Sequence, residues 1–252
     1  MRKVCVRLIG GIGNQMFQIA AAIGVAGRVG GEYCANASGW FGRAPEDHPR
    51  LVSPRRFPAL HIGSRPHPYT YMQERGSTYR DIPIPESGHI VMCGYWQSPR
   101  YWAGCEAQVR AAFPVYPIDG YEDTCAINYR GGDYLAPDKC GIHRVCRLGY
   151  YERALALARA AGFARFIVVT DDPEQGEAVE IARMADAFIT GDPCGFDVIA
   201  SCGGVIGTNS TYGWWATWLG ASRFRVFPNR WFVRGVSEEP DILPDEWARI
   251  EP

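Results

Sequence analysis

Four short polar clusters in this sequence carry side chains suited to an anionic ligand. The first is Asn128-Tyr129-Arg130-Gly131-Gly132-Asp133-Tyr134, a glycine-containing turn with one cation and one carboxylate. Arg130 offers a planar guanidinium fork that matches phosphate oxygens. The plainer reading pairs Arg130 with Asp133, and loop ion pairs of that kind are common and weak. The second cluster is Asp171-Asp172. Its carboxylates suit the ring N–H groups of a base or ribose hydroxyls; alternatively, Asp172 caps a helix ahead of Pro173. The third is Asn209-Ser210-Thr211. There the hydroxyls and the first N–H groups of a following helix form a phosphate cradle, or simply a cap. The fourth is Gly10-Gly11-Ile12-Gly13-Asn14-Gln15. Gly11 and Gly13 supply the first two glycines of a dinucleotide fingerprint. Met16 stands where that fingerprint needs Gly or Ala for close helix–strand packing. A tight turn accounts for the glycines but gives the polar pair Asn14-Gln15 no role.

Each cluster follows a strand-like run: residues 4–9 before the glycines, 125–127 before Arg130, 166–170 before the acidic pair, and 203–207 before Asn209. A further strand is predicted over residues 90–94 and another over 187–190. Helices are predicted over residues 16–26, 100–113, 150–161, 174–185 and 196–202, and a last one carries Trp214, Trp215 and Trp218. Ser98 suits the cap of the second helix and Pro99 its first position. Trp214 and Trp218, four apart, share a helix face and read as core. The alternation after residue 121 implies a doubly wound α/β half with a parallel sheet. In such a sheet the strand ends share one edge, so Arg130, Asp171-Asp172 and Ser210-Thr211 are expected to converge on one nucleotide site. Pro114, Pro117 and Gly120 mark a linker, which gives two domains, 1–115 and 116–252. Residues 31–90 read as long loops with short strands, and His48, His61 and His67 read as loop histidines.

The 252 residues are 47% hydrophobic and 21% charged with a net charge of −1, an ordinary globular profile. The absence of a basic run argues against nucleic-acid binding. No segment reaches membrane-spanning length, and the apolar run at residues 4–9, interrupted by Arg7, is too short for a signal peptide. The nine irregularly spaced cysteines read as reduced thiols of a cytoplasmic protein, with peripheral attachment to a membrane left open. Cys140, His143 and Cys146 offer a metal three ligands and no clear fourth, so no metal site is expected.

The segment from Gly10 to Gln18 resembles the N-terminal motif of the α-1,2-fucosyltransferases of glycosyltransferase family 11. Gly94-Tyr95-Trp96-Gln97-Ser98 with Tyr101 is similar to their middle segment, and Tyr129 to Tyr134 resembles their His-x-Arg-Arg-Gly-Asp-Tyr motif. Thr170-Asp171-Asp172, Asn209 to Trp215 and Phe227 to Phe232 match in order, so the resemblance spans about residues 4–232. It implies a GT-B-like fold of two Rossmann-like halves with the active site in the cleft. It also implies a GDP-fucose donor, a galactose-containing glycan acceptor, inversion at the anomeric carbon and no obligatory metal or other cofactor. By this resemblance the N-terminal domain serves the acceptor and the C-terminal domain binds the donor. Arg130 holds the β-phosphate, Asn209, Ser210 and Thr211 line the pyrophosphate, and Asp171 or Asp172 reads guanine. Gly11, Gly13, Asn14 and Gln15 face the transferred sugar, Asn128 joins the donor-binding residues, and the catalytic candidates are Arg130, Asn14 and Asp133, the last as a base or as a brace for Arg130. The chain departs from the motif at Asn128, where the family has His, and at Gly131, where it has the second Arg. Asn cannot titrate near neutral pH, and the glycine removes a charge. A different GDP-sugar donor and a non-catalytic binding protein therefore stay open, beside a dinucleotide-dependent oxidoreductase.

Overall fold

The computed structural model describes residues 1–37, 52–53, 55–131, 144–191, 195–233, 235 and 237–252. The chain divides into two compact units. Met1–Pro114 and Pro240–Pro244 form the first; Val115–Glu239 and Asp245–Pro252 form the second. Both are α/β with parallel sheets. No helix among the described residues is long and apolar enough to cross a membrane.

In the first unit β1 (Lys3–Arg7) passes through a glycine turn into α1 (Ile12–Val29) and returns as β2 (Glu32–Asn36). β3 (Tyr69–Gln73) and β4 (His89–Cys93) complete a parallel sheet of order β2-β1-β4-β3. β2 and β3 lie where the sequence suggests mainly loops, because their buried and exposed residues do not alternate cleanly. The helix expected over residues 100–113 is broken. Ser98 caps a 3-10 turn, Pro99–Trp102, and α2 (Glu106–Ala112) starts anew after Gly104, whose φ of 80° no helix accepts. Phe17 against Trp102 and Phe57 against Phe113, with ring centroids 5.6 Å and 5.3 Å apart, fill the core. The returning segment is held by Asp241, which accepts from the Tyr79 N–H at 2.8 Å.

The second unit builds β5 (Thr124–Tyr129), α3 (Leu148–Ala160), β6 (Arg165–Thr170), α4 (Gly176–Ala185), β7 (Phe188–Thr190), α5 (Gly195–Ser201), β8 (Gly204–Ile206), α6 (Thr211–Leu219), β9 (Phe224–Pro228) and β10 (Ala248–Ile250). The sheet order is β10-β9-β8-β5-β6-β7, all parallel. Numbered from β5, this is the 3-2-1-4-5-6 order of a doubly wound nucleotide-binding sheet. Every residue of β5 is buried, as a central strand covered on both faces requires. Cys125, Ile127 and Tyr129 point into a core shared with α3 and α4. Alternation sends Asn128 to the opposite face, where α6 approaches. Trp214 and Trp215 are fully buried, and Trp218, half-buried, stacks on Trp214 at 6.1 Å.

Candidate functional site

The order of the second sheet reverses between β5 and β8, and a ligand crevice forms outside the carboxyl ends of strands at such a point. The register aligns Tyr129 with Thr170 and Ile127 with Ile206, so the turns after β5, β6 and β8 emerge together. Arg130 leaves β5 and meets Asp171 at the end of β6, with Nη1 to Oδ2 at 3.0 Å. One partner is thus at the end of the neighbouring strand; Asp133, the partner suggested by sequence, lies outside the described residues. Asp172 does not cap α4. Gln175 does, accepting from the Ala178 N–H at 3.1 Å, while the Asp172 N–H donates to Thr170 Oγ1 at 3.1 Å. Ser210 stands at the N-cap of α6, yet its side chain makes no capping hydrogen bond.

Two residues of this edge serve the scaffold. Asn128 donates to the Val169 carbonyl at 3.3 Å and accepts from Thr208 Oγ1 at 3.5 Å. A Cβ on Gly213 would collide with its Oδ1, so glycine lets the first turn of α6 close over Asn128. Asn209, 1% exposed, donates to the carbonyls of Arg144 and Trp231 at 2.7 Å and 2.9 Å. At Gly131 a Cβ would lie 2.6 Å from the Tyr129 ring and hydroxyl. Tyr129 is held there by donating to Glu177 Oε2 at 3.0 Å, the same oxygen that Arg147 binds at 3.1 Å. The space a longer residue at 131 would need is therefore occupied by Tyr129. Beneath the crevice α3 supplies two phenols. Tyr150 donates to the Gly207 carbonyl at 2.6 Å and Tyr151 to the Asn128 carbonyl at 3.4 Å. Burial pushes both phenols well above their ordinary range, so they remain donors.

In the first unit β1 and β4 are neighbours, and the turns that follow them meet. Gly11 is the N-cap of α1, with Gly13 buried in its first turn. Gln15 turns inward. It donates to the Gly10 carbonyl at 2.9 Å and accepts from the Val52 N–H at 2.8 Å. Gln18, to which the sequence gives no role, pairs with both backbone groups of Ile9 at 3.0 Å. These buried amides satisfy the turn's own polar groups. Asn14 stays half-buried, and its Oδ1 accepts from Gln97 Nε2 at 2.8 Å, which ties the glycine turn to the turn after β4. Sequence reasoning leaves Gln97 without a site role, because the contact spans the sheet. No group of metal-ligating residues occurs among the described residues.

Residues 67–251 match the pattern of Glycosyl transferase family 11. The chain is similar to an alpha-1,2-colitosyltransferase of Escherichia coli, 25% identical over 295 aligned residues that cover 100% of each chain. It is also similar to the O-antigen biosynthesis glycosyltransferase WbnK of Escherichia coli, 26% identical over 137 residues, which cover 51% of this chain and 45% of that protein.

Proposed function

The chain belongs to glycosyl transferase family 11 and is a glycosyltransferase. From that premise we propose that it moves L-fucose from GDP-fucose to a galactoside hydroxyl of a glycan, forming an α-1,2 linkage with inversion. The observation that carries this reading is the grouping of Arg130, Asp171-Asp172 and Ser210-Thr211 around the β5/β8 crevice, where a nucleotide diphosphate is expected.

In the transfer the bond from the anomeric carbon to the β-phosphate oxygen breaks, and the diphosphate takes the electron pair. The acceptor oxygen bonds to that carbon from the opposite face and gives up its proton. Arg130 and the N-terminus of α6, with Ser210 and Thr211, meet the charge that develops on the diphosphate. One such preorganised donor contributes roughly 3–4 kcal/mol to transition-state stabilisation. Asp171 aims Arg130, which leaves Asp172 to read the ring N–H groups of guanine. Asp133 is the base or a brace. The second unit takes the donor. The first takes the acceptor, with Gly11, Gly13 and Asn14 on the sugar side and Gln15 supporting them. This is the division of labour of a GT-B-like enzyme. The charge complement needs no metal. The setting is polysaccharide assembly in the cytoplasm or at the cytoplasmic face of a membrane.

The full-length similarity to a colitosyltransferase favours a second reading, in which the sugar moved is colitose. Calorimetry with GDP, UDP and NAD, followed by transfer assays with GDP-fucose and the corresponding colitose donor on a galactoside, separates the possibilities. GDP binding with fucosyl transfer is expected. Binding of NAD without GDP would overturn the transferase mechanism proposed here, and transfer of colitose alone would select the second reading. GDP-fucose binding with neither transfer nor hydrolysis would indicate a binding protein.

A further inference from the structure

The turn after β4 holds an unusual conformation. Trp96 has a φ of 55°, a left-handed value rare for so bulky a side chain. Such a conformation persists only where its surroundings over-determine it, and it clusters at ligand sites. Here the surroundings are one carboxylate. Glu74, just beyond β3, accepts from the Tyr95 N–H at 2.5 Å and the Trp96 N–H at 2.8 Å. Its own N–H donates to the Cys93 carbonyl at 2.9 Å. The Trp96 indole is buried edge-on against Tyr101, with centroids 5.2 Å apart. Its Nε1 is the one buried side-chain polar atom among the described residues with no partner.

The strained turn has two visible results. Tyr95 is 46% exposed, although the residues on either side of it are buried. Gln97 is directed at Asn14, and its amide oxygen has no partner among the described residues. An exposed aromatic residue two positions from an amide pair offers the chemistry that recognises a pyranose. The ring stacks on the sugar's C–H face, and the amides bond adjacent hydroxyls.

We propose that the turn Gly94-Tyr95-Trp96-Gln97 is a subsite for the acceptor pyranose, with Tyr95 as its stacking platform, Gln97 as a hydroxyl partner and Glu74 as the residue that positions both. The role of acceptor rests on the transferase reading above. Glu74 touches no sugar and acts through the backbone of Tyr95 and Trp96.

The test uses the full chain, methyl β-D-galactopyranoside as the acceptor probe, and the variants Tyr95→Ala, Glu74→Gln and their double. Tyr95→Ala is expected to raise the galactoside KM about tenfold without altering GDP affinity by calorimetry. Glu74→Gln is expected to raise it several-fold, and the double variant to raise it by less than the product of the two single effects, since the changes share the Tyr95 contact while Gln97 is lost only with Glu74. Additive effects would overturn the positioning role, because a merely structural loss is independent of Tyr95. An unchanged KM in Tyr95→Ala, with transfer intact in the parent, would overturn the subsite. Should the parent bind no GDP and transfer nothing, the transferase reading falls and saturation-transfer NMR with the galactoside decides the subsite alone. Saturation lost in Tyr95→Ala supports a saccharide site; equal saturation in both proteins, or none in the parent, overturns it.

Discussion

Arg130 and Asp171 meet with side chains 32% and 30% exposed, so solvent screens the pair and it contributes little to stability. In the proposed mechanism it holds the guanidinium where a phosphate oxygen arrives. Arg130→Ala should therefore cost about 1.5–3 kcal/mol of GDP binding, the range for a hydrogen bond to a charged group. Unchanged affinity by calorimetry would remove Arg130 from the site. The acidic residues separate in the same assay. Asp172→Ala should erase any preference for GDP over ADP, whereas Asp171→Ala should weaken both nucleotides alike; the reverse pattern would exchange their roles. Glu74 offers a test by pH. Burial pushes its carboxyl above the ordinary 4.5, against the pull of the Trp96 and Tyr95 N–H bonds. The folded chain then keeps a proton that the unfolded chain has released. Glu74's contribution to stability is full below the ordinary carboxylate pKa and is lost as pH rises through the raised one. That fall should be missing from the stability–pH curve of Glu74→Gln, and curves of identical shape would contradict it.

At the scale of elements, the crevice depends on how closely α6 lies over the end of β5. Gly213 permits that approach, since its missing Cβ would collide with Asn128 Oδ1. Gly213→Ala should cost about 1–3 kcal/mol, the usual penalty of overpacking, and weaken GDP binding as well. Denaturation midpoints equal to those of the parent would show that the helix shifts freely. The strands and helices around this crevice are legible in the sequence because each is a short periodic run closed by glycine, proline or a polar cluster. The second sheet's parallel character and the grouping of its strand ends follow from that alternation. Direction of side chains does not. Asn128 and Gln15 are polar and sit beside ligand-like turns, yet each bonds a backbone group far away in the chain, the Val169 carbonyl and the Val52 N–H. Glu74 is unreadable for the same reason, its two partners lying on the far side of a strand pairing. The break at Gly104 is written in the sequence, but a single glycine in a helical run is often tolerated, so the continuous helix looks equally acceptable there.

At the scale of the whole molecule, the proposed mechanism has Arg130 and the N-terminus of α6 offer fixed positive charge to a diphosphate, a charge that a divalent ion would duplicate. Transfer rates should accordingly survive dialysis against EDTA, and a rate restored only by added magnesium or manganese would contradict the charge scheme. The path of the chain bears on how the protein is made. Residues 240–244 belong to the first unit, and Asp241 is the acceptor for the Tyr79 N–H and lies 3.7 Å from Arg100. A ribosome adding about 5–20 residues per second takes on the order of ten seconds to pass from Arg100 to Asp241. Through that interval the nascent first unit lacks its last contacts while the second is still being synthesised. The N-terminal half therefore cannot mature strictly ahead of the C-terminal half. A translation product stalled before residue 240 should remain more open to protease in its first unit than the released chain.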